Sequence, residues 1–232
     1  MRYLGSVAEL DNDEIANAAI TVEGVELSLV GAGVGGGFGN TLELKAMNYR
    51  KAMRSDDRKA WIVEVGNEKD RFDKYDALSA VKRKDVPKGA KIITTTWAMK
   101  KKASGKLRGR LNVRGYEQEE GKHYIAESIA APVTNPNSVR IGLVVFAMHP
   151  YWVAELIDVE GAFLQGKFTE GKELYIRIPD GFERYYEDDE VLRLIVPIYG
   201  TKQAASCFYK ALVAKVTDRN YQRSKADPCV YY

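Results

Sequence analysis

An α+β fold, with helices on one face of an antiparallel sheet, is predicted by three observations on these 232 residues. Stretches of helical periodicity alternate with stretches whose side chains alternate every second residue. A β-branched, aromatic run, Ile92 to Met99, and an alternating one, Leu107 to Gly115, lie close together around a Ser-Gly turn, as a hairpin requires. The chain is 45% hydrophobic, ample for a buried core in one large or two small domains.

Taken in order, Val25 to Val30 alternates like a short strand, and the glycine run from Gly31 to Gly39 then breaks all periodicity. Gly31, Gly33 and Gly36 match the dinucleotide-binding G-x-G-x-x-G in form. That fingerprint needs a helix opening within the glycines and an acid about 20 residues on. Gly37 and Gly39 are poor helix formers and no acid about 20 residues on stands at the end of a second strand, so residues 1–45 are read as a segment with a flexible linker. From Asn48 to Phe72, Ala52, Met53, Trp61, Val65 and Phe72 share one helical face, with Ser55, Asp56 and Asp57 as a helix start. Pro87-Lys88-Gly89 is a turn before the strand Ile92 to Met99. Ser104-Gly105 turns the chain into Leu107 to Gly115, where Leu107, Leu111 and Val113 face one way and Arg108, Arg110 and Arg114 the other. Ser138 caps a helix to Met148 with Ile141, Val144, Val145 and Met148 inward. Strands follow at Tyr151 to Asp158, Leu174 to Pro179 and Val191 to Val196. A last helix, Gln203 to Asn220, buries Cys207, Phe208, Ala211, Leu212 and Val216. No internal repeat is present.

A net charge of +3 is too weak to imply a nucleic-acid partner, but its distribution is uneven. Lys100, Lys101, Lys102, Lys106, Arg108, Arg110 and Arg114 form a stretch without acids, whereas residues 1 to 30 carry six acids and only Arg2. Cys207 and Cys229 lack metal-ligand spacing and are expected to be buried thiols in a reducing compartment. No apolar run approaches a membrane span, and no signal peptide opens the chain. A soluble, intracellular protein is expected.

The most informative stretch is Leu156-Ile157-Asp158-Val159-Glu160-Gly161-Ala162-Phe163-Leu164-Gln165-Gly166, an apolar strand that delivers a carboxylate to its end with an aromatic five residues later. It is joined by Arg108 to Gly121, Ala131-Pro132-Val133, Ile178-Pro179-Asp180-Gly181-Phe182, Tyr199-Gly200-Thr201-Lys202-Gln203-Ala204 and Ser224 to Tyr231. Each motif is weak alone, yet the six in this order and spacing are specific. From about Asn48 to Tyr232 the chain resembles the copia-type reverse transcriptase domain of retrotransposons, which implies polymerase fingers and part of the palm.

The resemblance implies roles residue by residue. Asp158 would be the first catalytic carboxylate, holding Mg²⁺ together with the Val159 carbonyl, because nucleotidyl transfer by two metal ions needs clustered hard oxygens. Without the motif, Asp158 would be an ordinary turn residue. Phe163 would be the gate beneath the sugar that selects deoxynucleoside triphosphates, and alone would be taken as core. Arg108 and Arg110 would pair with triphosphate oxygens. Lys100, Lys101, Lys102 and Arg114 would follow the backbones of an RNA template and DNA primer. Gln203 is open between a contact to template and incoming base and a structural place near a helix start.

Departures from the family pattern bear on this expectation. Arg108 stands for the usual lysine, Gly109 for alanine, Asn112 for a buried apolar residue, Thr201 for leucine, Ala205 for proline and Phe208 for tryptophan. An unpartnered Asn112 in a strand interior would cost about 1–3 kcal/mol. The family's later Tyr-x-Asp-Asp hairpin is not reached before Tyr232. Tyr186-Glu187-Asp188-Asp189 matches it literally, but it precedes the Gln203 loop and lacks flanking apolar strands, so it is read as a decoy. The expected function is a fragment of an RNA-directed DNA polymerase from a retrotransposon polyprotein, inactive alone, in cytoplasm, virus-like particle or nucleus. The alternatives are a non-catalytic nucleic-acid-binding remnant or retained host protein, and, more remotely, a nucleotide-cofactor enzyme using the glycine run.

Overall fold

The computed structural model describes residues 17–22, 25–30, 46–102, 105–168 and 173–232. The glycine run, and with it the expected linker, lies outside them. The strands are β1 (Asn17–Val22), β2 (Val25–Val30), β3 (Leu78–Lys82), β4 (Ile92–Ile93), β5 (Thr95–Lys101), β6 (Leu107–Val113), β7 (Val153–Ile157), β8 (Leu174–Ile176), β9 (Glu190–Leu194) and β10 (Val230–Tyr231). The helices are α1 (Tyr49–Ala52), α2 (Arg58–Lys74), α3 (Pro136–Met148) and α4 (Ala204–Thr217). All strand pairs are antiparallel except β4 with β8, so the α+β class holds. The chain forms two units that are discontinuous in sequence, one of residues 1–38, 131–160 and 209–232, the other of 39–130 and 161–208.

The larger unit holds the main core. One helix was expected from Asn48 to Phe72, but the chain makes two, because the Ser55 hydroxyl donates to the Ala52 carbonyl at 2.8 Å and closes the first. Asn48 caps α1 by accepting from the Lys51 amide, and Asp57 precedes α2. Trp61, Val65 and Phe72 pack with Trp97, Met99, Leu111 and Val113, so the helix covers the core face of the β5–β6 hairpin as its stripe predicts. The expected strand from Ile92 splits at Thr94, whose amide donates to Glu117 at 2.8 Å and whose carbonyl accepts from Arg114. β3 carries no sequence signal, since Ser79, Ala80 and Lys82 are poor strand formers. Antiparallel pairing with β9 creates it. Phe182 closes this core edge-on against Trp97 and Phe72.

In the smaller unit the sheet order is β10-β2-β1-β7. Ser138 was expected to cap α3. The cap is Asn135, which accepts from the Asn137 amide at 2.9 Å with Pro136 in the first turn, where its missing N–H costs nothing. Only Gly142 of α3 is buried. Ile141, Val144 and Met148, expected inward, are 64%, 60% and 72% exposed, and β7 is exposed throughout. Cys229 and Tyr231 form a small second core with Tyr209, Leu212, Val213 and Val216. Both cysteines are free and buried, as expected.

Asp227 ties this unit together. Burial alone would raise its pKa, but hydrogen bonds from the Ser138 hydroxyl and the Cys229 and Asn135 amides outweigh that and hold it below the ordinary 3.8. An acid held low stabilises the fold above its ordinary pKa, and the contribution is lost as pH falls through the lower folded value. Asp227→Ala leaves two amides without acceptors and is expected to cost about 2–3 kcal/mol at pH 7. The deficit should shrink below pH 3.8, which urea titrations at both pH values would check. A deficit that does not change with pH would disprove the linkage.

Candidate functional site

The basic hairpin is anchored along the free edge of β6. The Leu111 amide donates to the buried Glu68 carboxylate at 3.2 Å, and the Val113 amide donates to the Tyr199 carbonyl at 2.8 Å. These bonds take the place of a missing neighbour strand. Burial raises the Glu68 pKa, against the opposing charges of Arg71, Arg110 and Arg108 and the Leu111 bond.

Beyond Val113 the hairpin interlocks with the Tyr199-Gly200 turn. A Cβ on Gly115 would lie 2.1 Å from the Gly200 carbonyl oxygen. One on Gly200, at φ +86°, would lie 2.1 Å from that of Val113. Only glycine permits this mutual approach. It fixes two separated motifs, Arg108 to Gly115 and Tyr199 to Ala204, against each other.

Three side chains converge there. The Arg110 guanidinium lies over the Tyr199 ring, 4.8 Å from its centroid, and Phe163 meets the same ring edge-on at 5.0 Å. Phe163 rides on a 3-10 turn, Ala162–Gln165, entered through Gly161 at φ +60°. Gly166 lets α4 close on that turn, since a Cβ there would meet Cys207 at 2.9 Å. Tyr199 was missed as a site residue. Its signal, an aromatic beside the glycine of a loop motif, is visible only once β6 is placed next to it.

Gln203 is 4% exposed. Its amide donates to the His123 carbonyl at 3.1 Å and its oxygen accepts from Gln118 at 2.9 Å, while Gln118 accepts from the Lys202 amide. Lys202 in turn lies over Tyr124. The network joins the segment after the hairpin to the start of α4, and Gln203 acts within it as a structural link.

The basic residues divide. Lys100 and Arg108 are directly opposed across the hairpin, with Arg110 next along the strand on the same face. Lys101, on the other face, pairs with Asp57 at 2.8 Å. Arg114 instead lines a separate cleft. Lys102 closes the hairpin turn, its amide donating to the Lys106 carbonyl at 2.8 Å.

Asp158 and Val159 belong to the smaller unit, just past β7, with Asp158 exposed. One carboxylate and a carbonyl are hard oxygen donors of the type Mg²⁺ takes, but they fall short of the set a two-metal site needs. Among the described residues no group of three or more His, Cys, Asp or Glu side chains could hold a metal ion. Tyr186 to Asp189 sits in the turn before β9, where Lys82 pairs with the exposed Glu187 and with Asp189 at 2.7 Å. That pairing raises the Lys82 pKa and lowers that of Asp189.

The departures from the family pattern fit the fold. A Cβ on Gly109 would make only ordinary contacts near 3.6 Å. Asn112, expected to be buried, is half-exposed on the outer face of β6, so the feared desolvation cost does not arise. Buried Thr201 donates its hydroxyl to the Ile198 carbonyl at 2.9 Å.

Residues 79–232 match the family model described as reverse transcriptase (RNA-dependent DNA polymerase). The chain is 33% identical over 153 residues to the retrovirus-related Pol polyprotein from transposon TNT 1-94 of Nicotiana tabacum, covering 64% of this chain and 11% of that protein. It is 35% identical over 150 residues to the Pol polyprotein from transposon RE2 of Arabidopsis thaliana, covering 62% and 10%. For that from RE1 of the same plant the figures are 35% over 140 residues, 58% and 9%. The chain therefore spans about a tenth of the length of these curated relatives. No solved structure matches it significantly. Among the described residues no helix is long and apolar enough to cross a membrane.

Proposed function

Since the chain belongs to the reverse transcriptase (RNA-dependent DNA polymerase) family, in its copia-type retrotransposon branch, we propose that it supplies the nucleotide-binding and nucleic-acid-binding part of an RNA-directed DNA polymerase. The observation that carries this is the contact chain Arg110–Tyr199–Phe163, which brings side chains from three separate motifs together within one unit. Arg108 and Arg110 pair with triphosphate oxygens, the Tyr199 ring holding the Arg110 guanidinium in place. Phe163, braced by the same ring, sits beneath the sugar and excludes a ribose 2′-oxygen. Gln203 keeps the loop before α4 in register with the hairpin. Family members generally use a divalent metal, and here Asp158 with the Val159 carbonyl is the contribution to Mg²⁺ binding. No catalytic step is routed through that incomplete set. RNA template, DNA primer and deoxynucleoside triphosphates are the proposed partners, in the cytoplasm, a virus-like particle or the nucleus.

Cross-linking tests the proposal. A photoreactive deoxynucleoside triphosphate, presented with an RNA–DNA primer–template, should label peptides containing Arg110 or Phe163. The labelling should fall several-fold in Arg108→Ala/Arg110→Ala, and labelling unaffected by those changes would refute the assignment. The 232-residue chain alone should give no primer extension, because one carboxylate cannot hold two metal ions. Extension abolished by Asp158→Asn would show a complete carboxylate set. Extension that depends on Asp188 and Asp189 would overturn their assignment as an exposed, lysine-paired turn.

A further inference from the structure

A cleft of about 400 Å³ opens on the larger unit, lined by none of Arg108, Arg110, Phe163 or Tyr199. Its charged lining is Arg50, Arg114 and Arg177 against Asp180 alone, a count of +3 and −1 that leaves +2. Arg50 follows the α1 cap, Arg114 ends the hairpin and Arg177 follows β8, so distant segments deliver the three to one place. None of the three guanidiniums forms an ion pair or side-chain hydrogen bond among the described residues. Arginine cannot relieve mutual repulsion by losing its proton, so such convergence favours a bound anion.

The remaining lining narrows the anion. Thr95 and Thr96, consecutive residues of β5, line the same cleft. The neighbouring acid Glu117 is already engaged by the Thr94 amide and hydroxyl, and these bonds, with the charges of Arg114 and Lys91, outweigh burial and keep it ionised. Tyr49 supplies a half-buried aromatic wall, its ring 6.3 Å from that of Trp97, which is fixed by donating to the Asp180 carbonyl at 2.9 Å. Asp180 adds one acceptor. Donors for an oxyanion, an aromatic face and a single acceptor, in a volume that suits a small organic ligand, describe a nucleotide better than a bare ion.

We propose that this cleft binds the phosphate of a nucleotide unit, with the base against Tyr49. The unit is either free or part of a single strand, and only the strand as source rests on the polymerase reading. The guanidiniums of Arg50, Arg114 and Arg177 hold the phosphate, and Asp180 accepts from a base amino or sugar hydroxyl group.

The test uses the full 232-residue chain, ¹⁵N-labelled, with deoxythymidine 5′-monophosphate and a ten-residue oligothymidylate as probes. Both should shift the amide resonances of Thr94 to Trp97 and Arg114. Arg50 and Arg177 are exposed, so Arg50→Ala/Arg177→Ala should keep the native spectrum. It should weaken oligonucleotide binding about tenfold and lower the slope of log affinity on log salt by up to about 0.7, the value for the one phosphate the cleft holds. Loss of monophosphate binding with unchanged oligonucleotide binding would support the site with a free nucleotide as its source. Shifts confined to other residues, affinities unchanged in the variant, or no binding of either probe would overturn the cleft. Where the oligonucleotide still binds, loss of that binding in Arg108→Ala/Arg110→Ala would uphold the polymerase reading without the cleft.

Discussion

Gly200→Ala should destabilise the larger unit by about 4 kcal/mol or more, a loss reached only when several costs coincide. An alanine at φ +86° carries about 1–2 kcal/mol of backbone strain. Its methyl would also lie 2.1 Å from the Val113 carbonyl oxygen, so the turn must retreat and the 2.8 Å bond from the Val113 amide to Tyr199 breaks. Gly89 offers an internal control. Its φ is +83°, yet nothing lies within 4 Å of the position a methyl would take there, so Gly89→Ala should show the strain alone. Gly109→Ala, with negative φ and ordinary contacts, should be nearly neutral. Denaturant unfolding followed by the fluorescence of buried Trp61 and Trp97 measures all three. Equal losses for Gly200→Ala and Gly89→Ala would mean that the two motifs are not locked together.

This interlock also marks what the sequence could convey. The hairpin was legible because Leu107, Leu111 and Val113 alternate with arginines, and its packing on α2 because Trp61, Val65 and Phe72 recur at helical spacing. Both signals are local. What joins Gly115 to Gly200, or Arg110 to Tyr199 and Phe163, is contact between segments tens of residues apart, and no periodicity encodes that. Resemblance to a family could name Arg110 and Phe163, but it could not name Tyr199 as the ring between them. The split at Ser55 and the cap at Asn135 escaped for a subtler reason. Serine serves equally as a helix start or as a hydroxyl that closes a turn, and only the surrounding packing decides which.

The outward face of α3 is the most instructive mismatch. Ile141, Val144 and Met148 are spaced for burial yet are exposed, as are Val153, Leu156 and Ile157 of β7. Periodicity reports which face gains by leaving water. It is silent on whether a partner is there to cover it.

Salt titration of single-stranded RNA or DNA binding should separate the basic residues that stand as one run in the sequence. Lys100, Arg108 and Arg110 share the outer face of the hairpin, and Lys102 stands at its turn, whereas Lys101 is held by Asp57 on the other face. If each of the four contacts one phosphate, replacing all four with alanine lowers the slope of log affinity on log salt by about 2.8. Between about 50 and 200 mM salt that difference amounts to roughly 50-fold in affinity, by the same counterion-release relation. Lys101→Ala should leave the slope nearly unchanged, because its side chain lies on the opposite face of the hairpin, paired with Asp57 at 2.8 Å. The two outcomes are therefore opposite for residues adjacent in sequence, which net charge alone would not produce: simple electrostatic attraction to a basic surface would weaken with every lysine removed, Lys101 included. Equal effects of Lys101→Ala and Lys100→Ala, or a flat salt dependence of the unaltered chain, would show that the outer face of the hairpin is not where the phosphate backbone lies.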